Sequence, residues 1–396
     1  MALDFQQVYD KIKQIGVGAR ERQESLNKQR GRAHELLSFY ANRIDELQAK
    51  VERARQADPS LRCAIPLDGR LDASYPQPVS PSQATLTHRV ATLIAADGSQ
   101  INPDRHAAVL YSLINVGAIV IELGSGKPPE IFAFSDLKYG DELYTETGII
   151  NEDMVALGRD LAERKKLLDL AAECPAPVLA LTDGPVELWG AKNGSEDAYQ
   201  VSLEKHLSIL SQLQAKDVTF AGYVDKPGAD LVVRLLEIAA LPDDQLKDVR
   251  QKHSLRGVTD RWLYGFLSGG HRSAVFGLQS SSRAHYTGDL ALHFFYLNVG
   301  DEKHPSLVRV ELPKWVADNA EKLDLLHAAL LEQCRIMGAR PYPYVLHRAH
   351  EIAVVGFEEK KQVEAMLEME LRRTGGEVEE KSAKQSAKDL PGRTKR

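Results

Sequence analysis

Absences narrow the field before any motif is considered. Three cysteines occur in 396 residues, Cys63, Cys174 and Cys334, far apart and outside any C-x-x-C pair. That excludes a disulfide framework and a cysteine zinc site, and it fits a reduced, cytoplasmic setting. No run of roughly 18 apolar residues is present, so no membrane-spanning helix is expected. The opening MALDFQQVYDKIKQ is polar and helix-like, without the apolar block of a secretory signal. There is no Walker motif, no G-x-S-x-G elbow and no G-x-G-x-x-G turn, which leaves the common nucleotide-binding and esterase readings without support. No internal repeat is found. Positive charge is short as well: the net charge is −6, which taken alone argues against a nucleic-acid partner, because such domains usually carry a basic surface.

One stretch departs from that average. Between Arg250 and Tyr286 stand six basic residues, Arg250, Lys252, Arg256, Arg261, Arg272 and Arg283, against one acid, Asp260. Trp262, Tyr264, Phe266, Phe276 and Tyr286 are interleaved with them. Cations for phosphates beside aromatic faces for unstacked bases is how single strands are held. Arg261, Trp262, Arg272 and Arg283 are therefore nucleic-acid-binding candidates. The competing reading is a set of core aromatics with a solvated charged rim, and composition cannot show which side chains share a face.

What is present in quantity is apolar: 43% of the residues, enough for one large core or two modest ones. Residues 1–57 read as a helical arm. Within it Leu37, Tyr40, Ile44, Leu47 and Val51 follow a 3-4 spacing, the stripe of a coiled coil or helical hairpin that meets either a partner chain or the body of its own. Pro59, Pro66, Pro76, Pro78 and Pro81 mark 58–86 as a linker or extended crossing segment. The core begins near Val90, with VATLIAADGS expected to stop at Asp97-Gly98 and HAAVLYSLINVGAIVIEL reading as buried strands. A helix starts after Asn151, which can cap it, and PVLALTDGP is a further strand ending at Asp183-Gly184. LALHFFYLNVG is another strand, and a helix spans about 316–337. Strands alternating with helices predict an α/β sheet with covering helices over 87–357. Residues 358–396 read as a charged helix followed by a polar tail of disordered composition.

Several residues carry potential chemistry. Asp97 and Asp183 each follow an apolar strand and precede a glycine; on neighbouring strands they would form a hard oxygen site for Mg²⁺ or Mn²⁺. The alternative is an ordinary Asp-Gly turn at each. Glu163 lies in the intervening helix, off the main apolar stripe of Met154, Leu157, Leu161 and Leu168. It is either a carboxylate among leucines that needs a cation or a solvated glutamate paired with Arg159 or Lys166. ARPYPYVLHRAHE brings Tyr342, His347 and His350 close in sequence. HRAHE lacks the H-E-x-x-H order of zinc peptidases, so His350 is either a proton donor or a surface histidine at the start of a strand.

In order along 90–357, these segments resemble the NurA nucleases. The matching pieces are AADGSQ at 95–100, the R-x-x-x-E of Arg159 and Glu163, ALTDGPVELW at 180–189 and AGYVDKPGADLVVRLLE at 221–237. GGHRSAVF at 269–276, HFFYLNVG at 293–300, VRVELPKWV at 308–316 and the Y-P…H of Tyr342, Pro343 and His350 complete the series. The resemblance implies an RNase H-like fold and a carboxylate nuclease site binding Mn²⁺, with Mg²⁺ as the other candidate. It implies Asp97, Glu163 and Asp183 as metal ligands, with Tyr342 and His350 as the remaining site residues. Where the family often has Gly-Tyr-Pro, this chain has Arg340-Pro341-Tyr342-Pro343, so Tyr344 is a rival for the tyrosine role. The implied activity is 5′-to-3′ exonuclease action on DNA, with single-strand endonuclease activity beside it. The implied setting is DNA end resection with a HerA-type hexameric translocase, and the implied assembly is a homodimer. Two other readings remain: a catalytically silent adaptor of the translocase, and an RNase H-like enzyme acting on RNA.

Overall fold

The computed structural model describes residues 4–67, 69–78, 92–146, 148–189, 196–376 and 378. Two compact units result, one from 1–79 with 224–320 and the other from 80–223 with 321–396.

The first unit opens with helices α1 (Phe5–Gly16), α2 (Ala19–Tyr40) and α3 (Ile44–Ala57), followed by strand β1 (Cys63–Pro66). A turn at 41–43 interrupts the apolar stripe between α2 and α3. Leu37, Tyr40, Leu47 and Val51 are buried. What covers them is the chain's own helix 231–240, whose residues from Leu231 to Ile238 are all buried. The Tyr40 hydroxyl donates to the Ala239 carbonyl at 3.0 Å, and the Lys50 ammonium donates to the Leu241 carbonyl at 2.5 Å. The stripe thus meets the body of its own chain. In α1, by contrast, no residue is buried. Part of the proline-containing segment is sheet: β1 pairs with 276–279, and Tyr75 bridges to Arg272. Pro66 closes this edge strand, where a missing N–H costs no ladder bond. Pro81 lies outside the described residues.

The second unit holds β2 (Thr92–Ile101), β3 (Tyr111–Glu122) and β4 (Glu130–Tyr139), a small hairpin of β5 (Tyr144–Thr145) with β6 (Gly148–Ile149), and helix α4 (Glu152–Glu173). Then come β7 (Val178–Asp183), helix α5 (Glu196–Ala215) and β8 (Thr219–Val224). β2, β3 and β4 run antiparallel, while β7 and β8 lie parallel to β2, in the order β4-β3-β2-β7-β8. Three antiparallel strands extended by two parallel ones on the side of the first is the expected RNase H-like mixed sheet. The parallel strands need crossovers, which α4 and α5 supply. Asn151 caps α4 by accepting from the Met154 N–H at 2.9 Å, and Glu152 and Asp153 suit its dipole.

The first unit is completed by α6 (Leu231–Ala240), α7 (Asp260–Leu263), β9 (Phe276–Gln279), β10 (Leu292–Asn298), β11 (Leu307–Pro313) and α8 (Lys314–Ala317). Its strands lie antiparallel in the order β1-β9-β10-β11. The second unit is completed by α9 (Ala320–Ile336), α10 (Tyr344–Ala353) and α11 (Phe357–Thr374). The polar tail expected after α11 lies outside the described residues, apart from its first few. Among the described residues, no helix is long and apolar enough to cross a membrane.

One expectation fails here. β2 does not stop at Asp97-Gly98 but runs on to Ile101, pairing with β3 from Thr92↔Glu122 through Ile101↔Leu113. Its neighbour β3 is 12 residues long, and that ladder carries β2 past the polar pair. Asp97 therefore sits in mid-strand, opposite Gly117.

Candidate active site

The register of the second unit's sheet brings the two aspartates together. Ala96 of β2 pairs with Thr182 of β7, so the next residues, Asp97 and Asp183, stand level on adjacent parallel strands. Successive side chains alternate faces in a strand, so both aspartates share one face and Gly98 belongs to the other.

The aspartate face is covered by α10. A Cβ at Gly117 would lie 2.5 Å from both the Ala349 carbonyl and the Ala353 N–H, so a glycine lets the helix rest on the β3 backbone. The Ser99 hydroxyl and the Asn115 amide donate to the Ala353 carbonyl at 2.5 and 2.8 Å, fixing the C-terminal end of α10. One turn back, His350 Nδ1 stands 2.7 Å from Asp97 Oδ2. The histidine is on a helix, against the alternative of a strand start, and its side chain remains 60% exposed against 13% for Asp97. Asp183 accepts from the Tyr342 hydroxyl, whose ring packs edge-on against Tyr223 at 5.4 Å. Of the two rival tyrosines, Tyr342 is the one hydrogen-bonded to an aspartate; Tyr344 begins α10.

Glu163 arrives on α4 from the opposite face. A Cβ at Gly98 would lie 2.6 Å from Glu163 Oε1, so the missing side chain admits this carboxyl to the backbone beside Asp97. Glu163 is 4% exposed, which rules out the solvated reading. Its nearest cation is Arg159, at 3.4 Å, which also pairs with Asp160 at 2.8 Å. Burial pushes the Glu163 pKa to about 8, with the charges of Asp160 and Asp97 adding and those of Arg164 and Arg159 opposing. Asp183 reaches solvent, yet loss of water around its carboxyl raises its pKa, helped by Asp97. The Tyr342 hydroxyl, the Gly184 N–H and His350 oppose that rise.

Arg164 went unremarked in the sequence. It is 3% exposed and donates to the Asp160 carbonyl at 2.7 Å and the Pro185 carbonyl at 2.9 Å, tying α4 to the loop that follows Asp183. Asn115 and Ser99 were missed too. A lone Asn and a Gly inside the apolar run YSLINVGAIVIE were the available signal for a surface that receives a helix.

Three carboxylates are the hard donor set that Mg²⁺ or Mn²⁺ prefers. Among the described residues, however, no three His, Cys, Asp or Glu side chains converge as they stand to hold one ion. Glu163 turns to Arg159 and Asp97 turns to His350, while the Glu163 carboxyl approaches the backbone beside Asp97 from the face opposite the aspartates. The two aspartates fit a cation by position and chemistry, and Glu163 fits by chemistry alone.

The basic, aromatic stretch is divided by the fold. Tyr264, Phe276 and Tyr286 are buried, as the core reading of the aromatics has it. Arg272 lies over the Tyr75 ring at 4.6 Å, and Arg283 donates to Gln279 at 2.9 Å. Trp262 is half-buried, and Arg261 and Phe266 are exposed.

The family model of the NurA domain matches residues 91–355. Among solved structures, the chain is similar to the NurA nuclease from Sulfolobus solfataricus, at 11% identity and a TM-score of 0.51, over 93% of this chain and 98% of that one. It is also matched to the catalytic domain of human endonuclease V, at 13% identity and a TM-score of 0.31, over 82% and 98% of the two chains. That second overlap is too weak to support an argument. No curated protein matches the chain.

Proposed function

The chain belongs to the NurA family, a nuclease family, and from that premise we propose that it is a metal-dependent deoxyribonuclease acting through Asp97, Asp183, Glu163, Tyr342 and His350. The observation that carries this reading is the level pair of aspartates on adjacent parallel strands, one met by His350 and the other by Tyr342. Neither partner is near its aspartate in sequence, and a scaffold has no need of such a meeting.

Asp97 and Asp183 would hold Mn²⁺, or Mg²⁺ in its place, with Glu163 completing the set on turning from Arg159, and the ion would neutralise phosphate charge and lower the pKa of the attacking water. The chain's own residues do the rest. Tyr342 donates to Asp183 and fixes the direction of its carboxylate. Asp97 accepts from His350 Nδ1–H, which leaves Nε2 on the exposed side of the ring to carry a proton to the leaving oxygen. Arg164 ties α4 to the loop after Asp183, and with it the approach of Glu163 to the Asp97 backbone, while Arg159 pairs with Glu163 within the helix.

In this proposal the action is 5′-to-3′ exonucleolytic on DNA, with single-strand endonuclease activity beside it. The chain works as a cytoplasmic homodimer in end resection with a HerA-type hexameric translocase. Delivery of DNA through such a ring suits a chain of net charge −6, which has no need of a broad basic face.

The test is cleavage of end-labelled single- and double-stranded DNA, and of matched RNA, with Mn²⁺ and with chelator, beside Asp97→Ala. Metal-dependent loss of DNA that vanishes in the variant is expected. Activity that survives the substitution overturns the site. Inactivity of both, with the translocase present, favours the adaptor reading, and preference for RNA overturns the DNA assignment.

A further inference from the structure

Within the unit formed by 1–79 and 224–320, a cavity of about 360 Å³ opens among α2, α7 and the ends of β10 and β11. That volume falls in the range of roughly 300–1,000 Å³ that small-molecule and cofactor sites occupy. Arg30, Thr259, Arg261, Trp262 and Asn298 supply its polar lining, and none of the residues that line it is acidic.

The indole of Trp262 is held in place. The Arg30 guanidinium lies over its ring at 4.8 Å, and His34 meets it edge-on at 4.9 Å. The floor is fixed too: the Asn298 amide donates to the Leu267 carbonyl at 2.8 Å, and its oxygen accepts from the Gly300 and Ser306 N–H groups. Arg30 Nε is buried without a hydrogen-bond partner among the described residues, an unmet donor of the kind that calls for a missing acceptor. Arg261 stands exposed one residue before the indole.

We infer that this cavity is a subsite for one nucleotide of single-stranded DNA, with a base against Trp262 and a phosphate held by Arg30 and Arg261. A planar guanidinium both stacks on rings and binds phosphate in a fork, and an aromatic plate accepts any unstacked base. An acidic peptide would use the cations and leave the indole idle. A duplex keeps its bases stacked on one another and offers none to a concave site. The inference rests on the deoxyribonuclease reading, which gives single strands a reason to be held.

The experiment is fluorescence anisotropy of a labelled oligo-dT with the full chain in chelator, so that binding is read without cleavage, beside an abasic strand of equal length. Trp262→Ala should weaken oligo-dT binding about fivefold to a hundredfold and narrow the gap between oligo-dT and the abasic strand. Trp262→Phe keeps a stacking ring and should stay within about threefold of the wild type. Arg261→Glu, at an exposed position that leaves the fold intact, should weaken binding of both strands. It should also flatten the salt dependence by about 0.7 in log–log slope for the lost phosphate contact. Should Trp262→Ala fail to fold, Arg261→Glu and Trp262→Phe decide. Unchanged affinity in Arg261→Glu, or no oligo-dT binding by the wild type, overturns the subsite. A chain that binds through Trp262 yet cleaves no DNA overturns the deoxyribonuclease reading and leaves the subsite standing. A chain that cleaves DNA while all the variants bind as the wild type does the reverse.

Discussion

Glu163→Gln should make the protein more stable and inactive at once. The carboxyl is buried against the sheet, and its pKa stands at about 8 against an ordinary 4.5. Between those values the folded state holds a proton that the unfolded chain has released. The slope of unfolding free energy with pH is therefore negative, and the stability present below pH 4.5 is lost as pH rises towards 8. At pH 7 the interval above 4.5 corresponds to about 3 kcal/mol. Glutamine keeps the shape and has no proton to lose. In chelator, the variant should match the wild type near pH 4.5 and exceed it by about 3 kcal/mol at pH 7, roughly 6–12 °C in Tm for a unit of this size. Adding Mn²⁺ should raise the wild-type Tm, because a ligand of the folded state stabilises it, and should move the variant little. The assay is thermal unfolding at pH 5 and pH 7, with chelator and with Mn²⁺, alongside DNA cleavage. A variant less stable than the wild type at pH 7, or a difference that ignores pH, refutes the reasoning.

Other consequences are equally open to measurement. His350→Ala removes a largely exposed side chain, so Tm should hold within about 2 °C while cleavage falls about 10²- to 10⁴-fold, read by initial rates on labelled DNA. Gly117→Ala puts a methyl 2.5 Å from the α10 backbone; displacement of that helix should cost about 1–3 kcal/mol in urea denaturation and separate His350 from Asp97, lowering the rate at least tenfold. Asp260→Ala strips a fully buried acceptor from the Val232 and Val233 N–H groups and the Tyr296 hydroxyl. About 3–5 kcal/mol of stability should go, seen as a lower denaturation midpoint of the first unit, and a loss under 1 kcal/mol would show that those donors find other partners.

The composition of the strands made much of the second unit readable. Apolar runs of the right length, broken by Asp-Gly, a proline or a capping Asn, marked β3, β7 and α4 close to where they lie. The aspartates were visible because each ends or interrupts an apolar run. Glu163 could be read two ways, since helical spacing places it on a weak apolar face, and only the sheet lying over α4 decides that it is buried. The end of β2 was misjudged for a related reason. Asp-Gly in isolation is a turn signal, whereas here a long neighbouring strand supplies ladder bonds that hold the pair extended. The aromatics of 250–286 look alike in sequence, yet Tyr264 and Tyr286 are buried while Trp262 is only half-buried, a difference set wholly by tertiary neighbours.

By itself, then, the sequence determined the alternation of strand and helix, the candidate carboxylates and the shortage of free positive charge. These are properties of single residues and of their spacing along one segment. Pairing was beyond it. That His350 meets Asp97 across 253 positions, that Tyr342 and not Tyr344 reaches Asp183, and that Leu37 and Val51 pack on their own chain follow from register, twist and helix placement. Those are set by which distant surfaces bury one another most completely, a competition among the whole chain's contacts that no local window contains.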